Sequence, residues 1–385
     1  MNIPSTKPYF PKEDIKTILR DMETVLRSGR VFNGPFLAAF EKEFARACGT
    51  TYAVGLNSCT SALEIILRYY NVEKGEVIVP VNTFLATANA VLYAGGRPVL
   101  ADIHTETLCL DPAALKRNIT KKTKGVIVVH LAGLITPHIK EIRDICHRHN
   151  LFLVEDAAHA HGARALGKTA GSLGDAAAFS FYATKVLTSG GVGGALTTSS
   201  KKLDTFARSL RFHGEDKKRG IQDRLGNDWF LSEPQAVIGL SQIQRLPEIL
   251  KKRSAVARAY NAAFKDLSSV SVFPVPLGFI HSYYKYPLFL KGSLRREQVS
   301  EELKKRGVSA GTSYWPPCHL QPVYKKMFGY KRGDFPIAES VLERTIALPM
   351  YTGMTKEEVA YVIDQVQFVC VFLNGNRTRV KQGIK

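Results

Sequence analysis

Between residues 154 and 194 the chain gathers the residue types that do covalent and acid–base chemistry. An apolar run ends in Glu155-Asp156-Ala157-Ala158-His159-Ala160-His161-Gly162. Gly171-Ser172-Leu173-Gly174-Asp175 follows, then Phe179-Ser180-Phe181-Tyr182-Ala183-Thr184-Lys185, and Gly190-Gly191-Val192-Gly193-Gly194 closes the segment. A lysine amine attacks an aldehyde, a carboxylate pairs with a cationic ring, and hydroxyls beside a helix N-terminus hold phosphate. Pyridoxal 5′-phosphate asks for all of these together. It needs a lysine for its aldehyde, an acid facing its pyridine nitrogen, donors for its phosphate and an aromatic ring against its face. Lys185, Asp156, the Ser58-Cys59-Thr60 segment that opens a helix, Ser180 and Phe84 answer those needs.

Such residues must be carried by elements that converge. From about residue 50 to 200, short apolar runs alternate with helical stretches. Strands are expected at 77–79, 99–101, 125–129, 151–154, 177–181 and 194–197, with helices at 61–70, 84–94 and 139–149. Several of the runs are rich in β-branched residues, and the alternation predicts an α/β fold built on a mostly parallel sheet. Ligands of such sheets bind beyond the carboxyl ends of the strands. Asn82-Thr83, His130, Glu155-Asp156, and Ser180 followed by Lys185 stand there. From residue 233 the character changes, to a long helix at 234–258, a strand at 283–290 and helices at 296–306 and 356–372. The expected division is a large cofactor-binding α/β/α domain with an N-terminal arm over 1–245, a smaller C-terminal α+β domain over 246–373, and a basic tail over 374–385.

Composition narrows the function class. The 385 residues are 45% hydrophobic, enough for a large core. No apolar run is long enough to span a bilayer, and the first residues lack a secretory pattern, so a cytoplasmic protein with no membrane insertion is expected. The six cysteines are scattered without metal-ligand spacing, so neither a metal site nor a disulfide framework is expected. The net charge of +19 is spread over short clusters such as Lys251-Lys252-Arg253 and Lys304-Lys305-Arg306, with no nucleic-acid-binding motif. An anionic small substrate needs few of these charges, and no nucleic-acid partner is expected.

Six segments, in order, resemble the DegT/DnrJ/EryC1/StrS family of sugar aminotransferases, which have the fold type I aminotransferase architecture. Ser28-Gly29-Arg30-Val31-Phe32-Asn33-Gly34-Pro35 is similar to the family's "SG…xGP", and Asn57-Ser58-Cys59-Thr60-Ser61-Ala62-Leu63 to its "SGTxAL". The stretch from Val79-Pro80 through Thr83-Phe84 to Ala90 resembles "P…TFxATAxA". Glu155 to His159 resembles "EDAAQ/H", Ser180 to Lys185 "SFxxxK", and Ser232-Glu233-Pro234-Gln235-Ala236 "SExQA". The resemblance covers nearly the whole chain. It implies that Lys185 forms the imine with the cofactor and serves as general acid/base. It implies Asp156 at the pyridinium, His159 near the phenolic oxygen, Thr60 and Ser180 at the phosphate, and Phe84 against the ring. It further implies glutamate or glutamine as amino donor, a keto-sugar (most simply a nucleotide-linked 3- or 4-keto-6-deoxy sugar) as acceptor, and a homodimer with shared sites.

Three departures stand out. Cys59 replaces the glycine of "SGT". Val192 interrupts the loop where the family carries "GEGG". In Gly226-Asn227-Asp228-Trp229-Phe230-Leu231, Asp228 takes the place of an asparagine that reaches the neighbouring subunit's cofactor, and Phe230 that of an arginine. An aspartate repels phosphate, so Asn227 is expected to substitute for it. Ordinary structural roles compete throughout: a surface lysine, a cap for Asp156, packing for Phe84, His159 and above all His161, and a plain turn for residues 190–194. Tyr314, Trp315 and His319 are pocket candidates equally suited to packing. A keto-cyclitol acceptor fits the same motifs, and a non-catalytic cofactor-bound regulator is the alternative from another class.

Overall fold

The computed structural model describes residues 1–216 and 218–374, so the expected basic tail beyond Asn374 lies outside the described residues. Its main sheet is made of β1 (Tyr52–Leu56), β2 (Glu76–Pro80), β3 (Arg97–Ala101), β4 (Thr123–Val129) and β5 (Phe152–Asp156), continued after a two-residue hairpin, β6 (Arg164–Ala165) and β7 (Lys168–Thr169), by β8 (Ala176–Ser180) and β9 (Gly194–Thr198). The order across the sheet is β1-β9-β8-β5-β4-β2-β3. The pairs β2–β3, β2–β4, β4–β5 and β5–β8 are parallel, and β9 runs antiparallel to both of its neighbours. β1 therefore points the same way as β8, and six strands deliver their last residues to one edge. β1 escapes the sequence-based reading because Gly55 interrupts a short run. In the structure that glycine lets the covering helix approach, since a Cβ there would lie 2.6 Å from Leu37 Cδ1 and displace that side chain.

Helices cover both faces, as buried parallel strands demand. On one face lie α3 (Cys59–Tyr69), α4 (Leu85–Tyr93) and α7 (Lys201–Leu210), whose apolar side chains join Val54, Ile127, Val154 and Ala178 in one cluster. On the other lie α2 (Pro35–Cys48), α5 (Pro112–Asn118) and α6 (Ile139–Arg148), packed with Ile78, Val128, Leu153 and Phe179. α1 (Lys12–Ser28) lies against α8 (Glu233–Phe264). The expected helix at 234–258 thus runs further, through Pro247, and crosses between cores: Ile243, Leu246 and Ile249 join the second cluster, while Val256, Ala257, Tyr260 and Phe264 join a third. Before it stands a second small hairpin, β10 (Glu215–Asp216) and β11 (Ile221–Gln222).

The third cluster sits under an antiparallel sheet of β12 (Val270–Val272), β13 (Tyr286–Leu290) and β14 (Thr345–Leu348), covered by α9 (Arg296–Lys305) and α12 (Lys356–Leu373). Two short helices, α10 (Pro322–Phe328) and α11 (Pro336–Leu342), return Tyr324 and Leu342 to the first cluster. The expected strand from 283 begins three residues later, because Tyr283 adopts φ 51°. The first residues of the chain pair with the smaller sheet's side of the molecule, Ile3 bridging to Val308.

The Ser232-Glu233-Pro234-Gln235 motif has a structural cause. Ser232 and Gln235 form a reciprocal capping box at the start of α8. Glu233, fully buried, accepts from Gly34 N at 2.9 Å, Phe36 N at 2.9 Å and Leu37 N at 2.8 Å. One carboxylate thereby caps the N-terminus of α2, where negative charge is favoured. Gln235 Nε2 donates to Val192 O at 2.7 Å and ties down the glycine-rich loop. Glu233→Ala leaves three backbone donors without an acceptor and is expected to lower unfolding free energy by about 3 kcal/mol in chemical denaturation, with Glu233→Gln intermediate.

Candidate active site

The shared strand edge opens into a cavity of about 550 Å3. Each chemically competent residue reaches it from the end of an element. Asp156 is the last residue of β5 and Ser180 the last of β8. Ser58, Cys59 and Thr60 lie where β1 turns into α3, Thr83 and Phe84 where β2 turns into α4, and Thr87 in the first turn of α4. Lys185 follows β8 in a loop whose backbone turns on a Lys185 N to Tyr182 O bond of 2.9 Å. His159, Val192, Gly193, Tyr284, Lys285 and Tyr314 complete the wall. Of the nine residues singled out from the sequence, eight line this one cavity. Asn227 does not: it is exposed, and its Oδ1 accepts from Asp228 N at 2.8 Å. Trp315 and His319 also stay outside the lining; the His319 imidazole is buried against Glu339, Nε2 to Oε1 2.9 Å.

Asp156 is held by a hydroxyl relay. Thr87 Oγ1 donates to Asp156 Oδ2 at 2.7 Å, which uses the Thr87 proton, so Thr83 Oγ1 must donate to Thr87 across their 2.6 Å contact. Ala158 N donates to the other oxygen at 3.2 Å. Burial pushes the Asp156 carboxyl above its ordinary value, against the pull of Thr87, Ala158 and Lys185. A cation brought against it offsets that burial. Its neighbour Glu155 does structural work on the opposite face. It accepts from Gly171 N, Leu173 N and Gly174 N at 2.7–2.9 Å and from His130 Nε2 at 2.8 Å. Burial opposes its charge, but these donors hold it below the usual carboxylate range.

The proton positions at His159 follow from its partners. Ala132 N donates to Nδ1 at 3.2 Å, and Tyr314 Oη lies 2.7 Å from Nε2. Burial, then the charges of Lys185 and Lys285, hold the imidazole pKa well below its ordinary value. A neutral ring with Nδ1 accepting carries its proton on Nε2 and donates it to Tyr314. The Tyr314 hydroxyl, whose pKa burial raises well above the usual phenol, keeps its own proton for another acceptor.

Ser58 proves to be engaged in the fold. Its Oγ accepts from Ser61 N at 3.1 Å and caps α3. Ser61 Oγ donates to Asn57 Oδ1 at 2.6 Å, so the 2.8 Å Ser58–Ser61 contact takes the Ser58 proton. The groups left to receive a phosphate are the first-turn N–H groups of Cys59 and Thr60, the Thr60 hydroxyl and the Ser180 hydroxyl. Phe84 is 62% exposed over the cavity, 6.1 Å from the Tyr314 ring. A buried carboxylate in want of a cation, a lysine, a helix N-terminus and an uncovered aromatic ring fit pyridoxal phosphate.

Thr87, Tyr284 and Lys285 were not foreseen. Thr87 lies one helical turn past Phe84, and that spacing is its signal. Tyr284 and Lys285 come from a hundred residues downstream. Lys185 Nζ lies 4.5 Å from the centre of the Tyr284 ring. Burial opposes ionisation of that phenol, but Lys185 and Lys285 together pull it below its ordinary value. A charge inside the otherwise apolar run 283–290 was the available hint.

The family model described as the DegT/DnrJ/EryC1/StrS aminotransferase family matches residues 12–367. The spore coat polysaccharide biosynthesis protein SpsC of Bacillus subtilis is 36% identical over 95% of this chain and 96% of its own. The dTDP-3-amino-3,4,6-trideoxy-alpha-D-glucose transaminase of Streptomyces venezuelae is 34% identical over 94% and 96%. Among solved structures, the putative sugar aminotransferase Spr1654 of Streptococcus pneumoniae in its PMP form superposes with a TM-score of 0.89 at 28% identity, over 99% of this chain and 100% of that one.

His161 lies behind the site, its ring 5.1–6.2 Å from those of Phe44, Phe179 and Phe181 and both nitrogens without a hydrogen-bond partner. Burial lowers its pKa from 6.5 to about 3. Below the ordinary histidine pKa the unfolded chain binds a proton that the folded ring refuses, so stability falls as pH drops through that window. The slope is about 1.4 kcal/mol per pH unit for each such histidine. His161→Phe is expected to remove one proton's worth of that slope in urea unfolding between about pH 6 and pH 4. An unchanged slope would show the ring to be protonated in the fold.

Proposed function

The chain belongs to the DegT/DnrJ/EryC1/StrS aminotransferase family, and on that premise we propose that it moves an amino group from glutamate or glutamine to a nucleotide-linked 3- or 4-keto-6-deoxy sugar. It is a transaminase that uses pyridoxal phosphate. The observation that carries the reading is the convergence of Lys185, Asp156 and the N-terminus of α3 on one cavity. The dTDP-sugar activity in the name of the Streptomyces venezuelae relative supports a nucleotide-linked acceptor.

When bound, the cofactor supplies an electron sink for the donor's α-carbon. Lys185 would hold the cofactor through its aldehyde and, once freed by the donor amine, would be the amine placed to move the donor's α-proton. In the second half-reaction the same amine would be placed to give a proton to the sugar carbon. Asp156 keeps the pyridine nitrogen protonated, and the Thr83–Thr87 relay keeps Asp156 ionised and aimed. Cys59 N, Thr60 and Ser180 receive the phosphate, with Ser58 setting the helix that presents them. Phe84 covers the ring face, and His159, through its neutral Nδ1-accepting tautomer, sets Tyr314 as a donor near the phenolic oxygen.

Asn227 lies outside its own cavity, so the reading assigns it to the phosphate of a second copy and makes the unit a homodimer with shared sites. It also takes residues 1–245 as the cofactor-binding domain and 246–373 as the smaller domain, in keeping with the separate third cluster. No helix among the described residues is long and apolar enough to cross a membrane, and a cytoplasmic location belongs to the same proposal.

The test is direct. Protein loaded with pyridoxal phosphate should absorb in the visible, lose that band with glutamate or glutamine, and yield an amino sugar from a dTDP-linked keto-sugar by mass spectrometry. Lys185→Ala should abolish turnover; wild-type turnover in that variant would falsify the mechanism. Thr87→Val removes a hydrogen bond to a charged group and is expected to lower kcat/KM about tenfold or more.

A further inference from the structure

Among the described residues, Lys285 is an ammonium group with no carboxylate paired to it. Its amine lines the active-site cavity, donates to Thr312 O at 2.6 Å, and lies 4.7 Å from the centre of the Tyr314 ring. An ammonium carries three donors, and a single backbone carbonyl uses one of them. The ionisable groups that act on it are Tyr284 and Lys185, and neither is a carboxylate. Burial, reinforced by Lys185, lowers its pKa below the ordinary lysine value, with Tyr284 opposing. The carboxylate that does line the cavity, Asp156, is already bonded to Thr87 and Ala158. Lys285 is half-buried, and a cation partly withdrawn from water without a counter-ion is left short of compensation unless a ligand provides the charge.

The position of the amine says which anion. Lys185 Nζ and Lys285 Nζ lie against the same Tyr284 ring, 4.5 Å and 5.9 Å from its centre. An amino donor must bring its nitrogen to the place of the Lys185 amine, and its α-carboxylate carbon is two bonds away from that nitrogen. An anion tethered that closely fits a second amine beside the first. The phosphates of a nucleotide-linked sugar are separated from the reacting carbon by the sugar ring. The cofactor's own phosphate goes to the first turn of α3, where Cys59, Thr60 and Ser180 gather.

We propose that Lys285 is a specificity residue that receives a carboxylate of the amino donor. The assignment rests on the aminotransferase reading and deepens it by naming the donor class as an amino acid whose carboxylate is read by a half-buried ammonium. With a keto-sugar in the same cavity, the two free donors of Lys285 meet hydroxyl oxygens, so one residue serves both half-reactions but gains charge assistance in the first.

The experiment compares wild type, Lys285→Met and Lys285→Arg as holoenzymes. Glutarate, an unreactive dicarboxylate, is titrated as a competitor of the donor half-reaction, which is followed by loss of the visible band. Its binding is also measured by calorimetry, with dTDP as a second ligand. Lys285→Met is expected to weaken glutarate and glutamate by about tenfold or more, the effect of one charge-assisted hydrogen bond, while Lys285→Arg retains most of the affinity. Cofactor content and dTDP affinity should stay at wild-type levels. An equal loss for alanine and glutamate places the α-carboxylate on Lys285, and a loss confined to glutamate places the side-chain carboxylate there; either supports the assignment. Wild-type glutarate affinity in Lys285→Met, or a loss that falls on dTDP instead, overturns it. A wild-type holoenzyme that ignores every amino donor overturns the function itself and the assignment with it, an outcome distinct from failure in the variant alone.

Discussion

Side-chain alternation at the end of β5 sends two adjacent carboxylates to opposite faces of the sheet. Leu153 and Glu155 face α2 and α6, while Val154 and Asp156 face α3 and α4. Glu155 is consumed by structure: with His130 and three backbone donors it holds the turn at 171–174 that brings the chain back into β8. Asp156 is spared for chemistry because Glu155 satisfies that turn. The placement of Ser180 and of the Lys185 loop depends on β8, and β8 depends on the turn that Glu155 closes. One strand end therefore sets both the acid of the site and the route by which its lysine arrives.

The charges around the cavity explain one another. Lys185 and Lys285 make the cavity basic, and their charges, added to burial, keep His159 neutral. Neutrality fixes the tautomer, since Ala132 N already occupies Nδ1. The tautomer in turn leaves Tyr314 as a donor. Tyr284, between the amines, is made more acidic by both. The phosphate-bearing cofactor and, on the proposed reading, a carboxylate-bearing donor bring the negative charge that this arrangement lacks, which is the electrostatic complement expected of a site built before its ligands arrive.

Much of this was legible in the sequence wherever a residue acts next to its own strand. Asp156, Ser180 and Lys185 sit within thirty residues, each just past an apolar run, and alternating runs and helices defined the sheet that aligns them. What stayed hidden depends on proton accounting or on distant chain. Ser58 matches a phosphate-binding pattern by type, yet its proton goes to Ser61, which is visible only when the Asn57–Ser61 bond is known. Tyr284 and Lys285 belong to a segment that reads as strand and joins the cavity by tertiary packing. Thr87 reads as one more helix residue until its hydroxyl is seen on Asp156. Asn227 stands one residue before the family's asparagine position, which Asp228 occupies, and lies outside the cavity of its own chain.

The Cys59 departure has a structural resolution. Glycine at a phosphate-binding turn is needed either for a positive φ or for close backbone approach. Cys59 needs neither, for it is the first residue of α3, after a Ser58 cap in extended conformation. The tight approach is met from the other side. A Cβ on Gly194, at the start of β9, would lie 2.1 Å from the Ser58 carbonyl carbon and 2.4 Å from Cys59 N. The glycine that allows β9 and the first turn of α3 to close on each other is therefore Gly194, and the residue at 59 is free to carry a side chain into the cavity wall. The same reasoning accounts for Val192: it is exposed, and what holds its loop is its carbonyl, which accepts from Ser189 Oγ at 2.8 Å and from Gln235 Nε2. A loop fixed through backbone carbonyls tolerates a change of side chain, so the departures from the pattern fall at positions where the backbone bears the constraint.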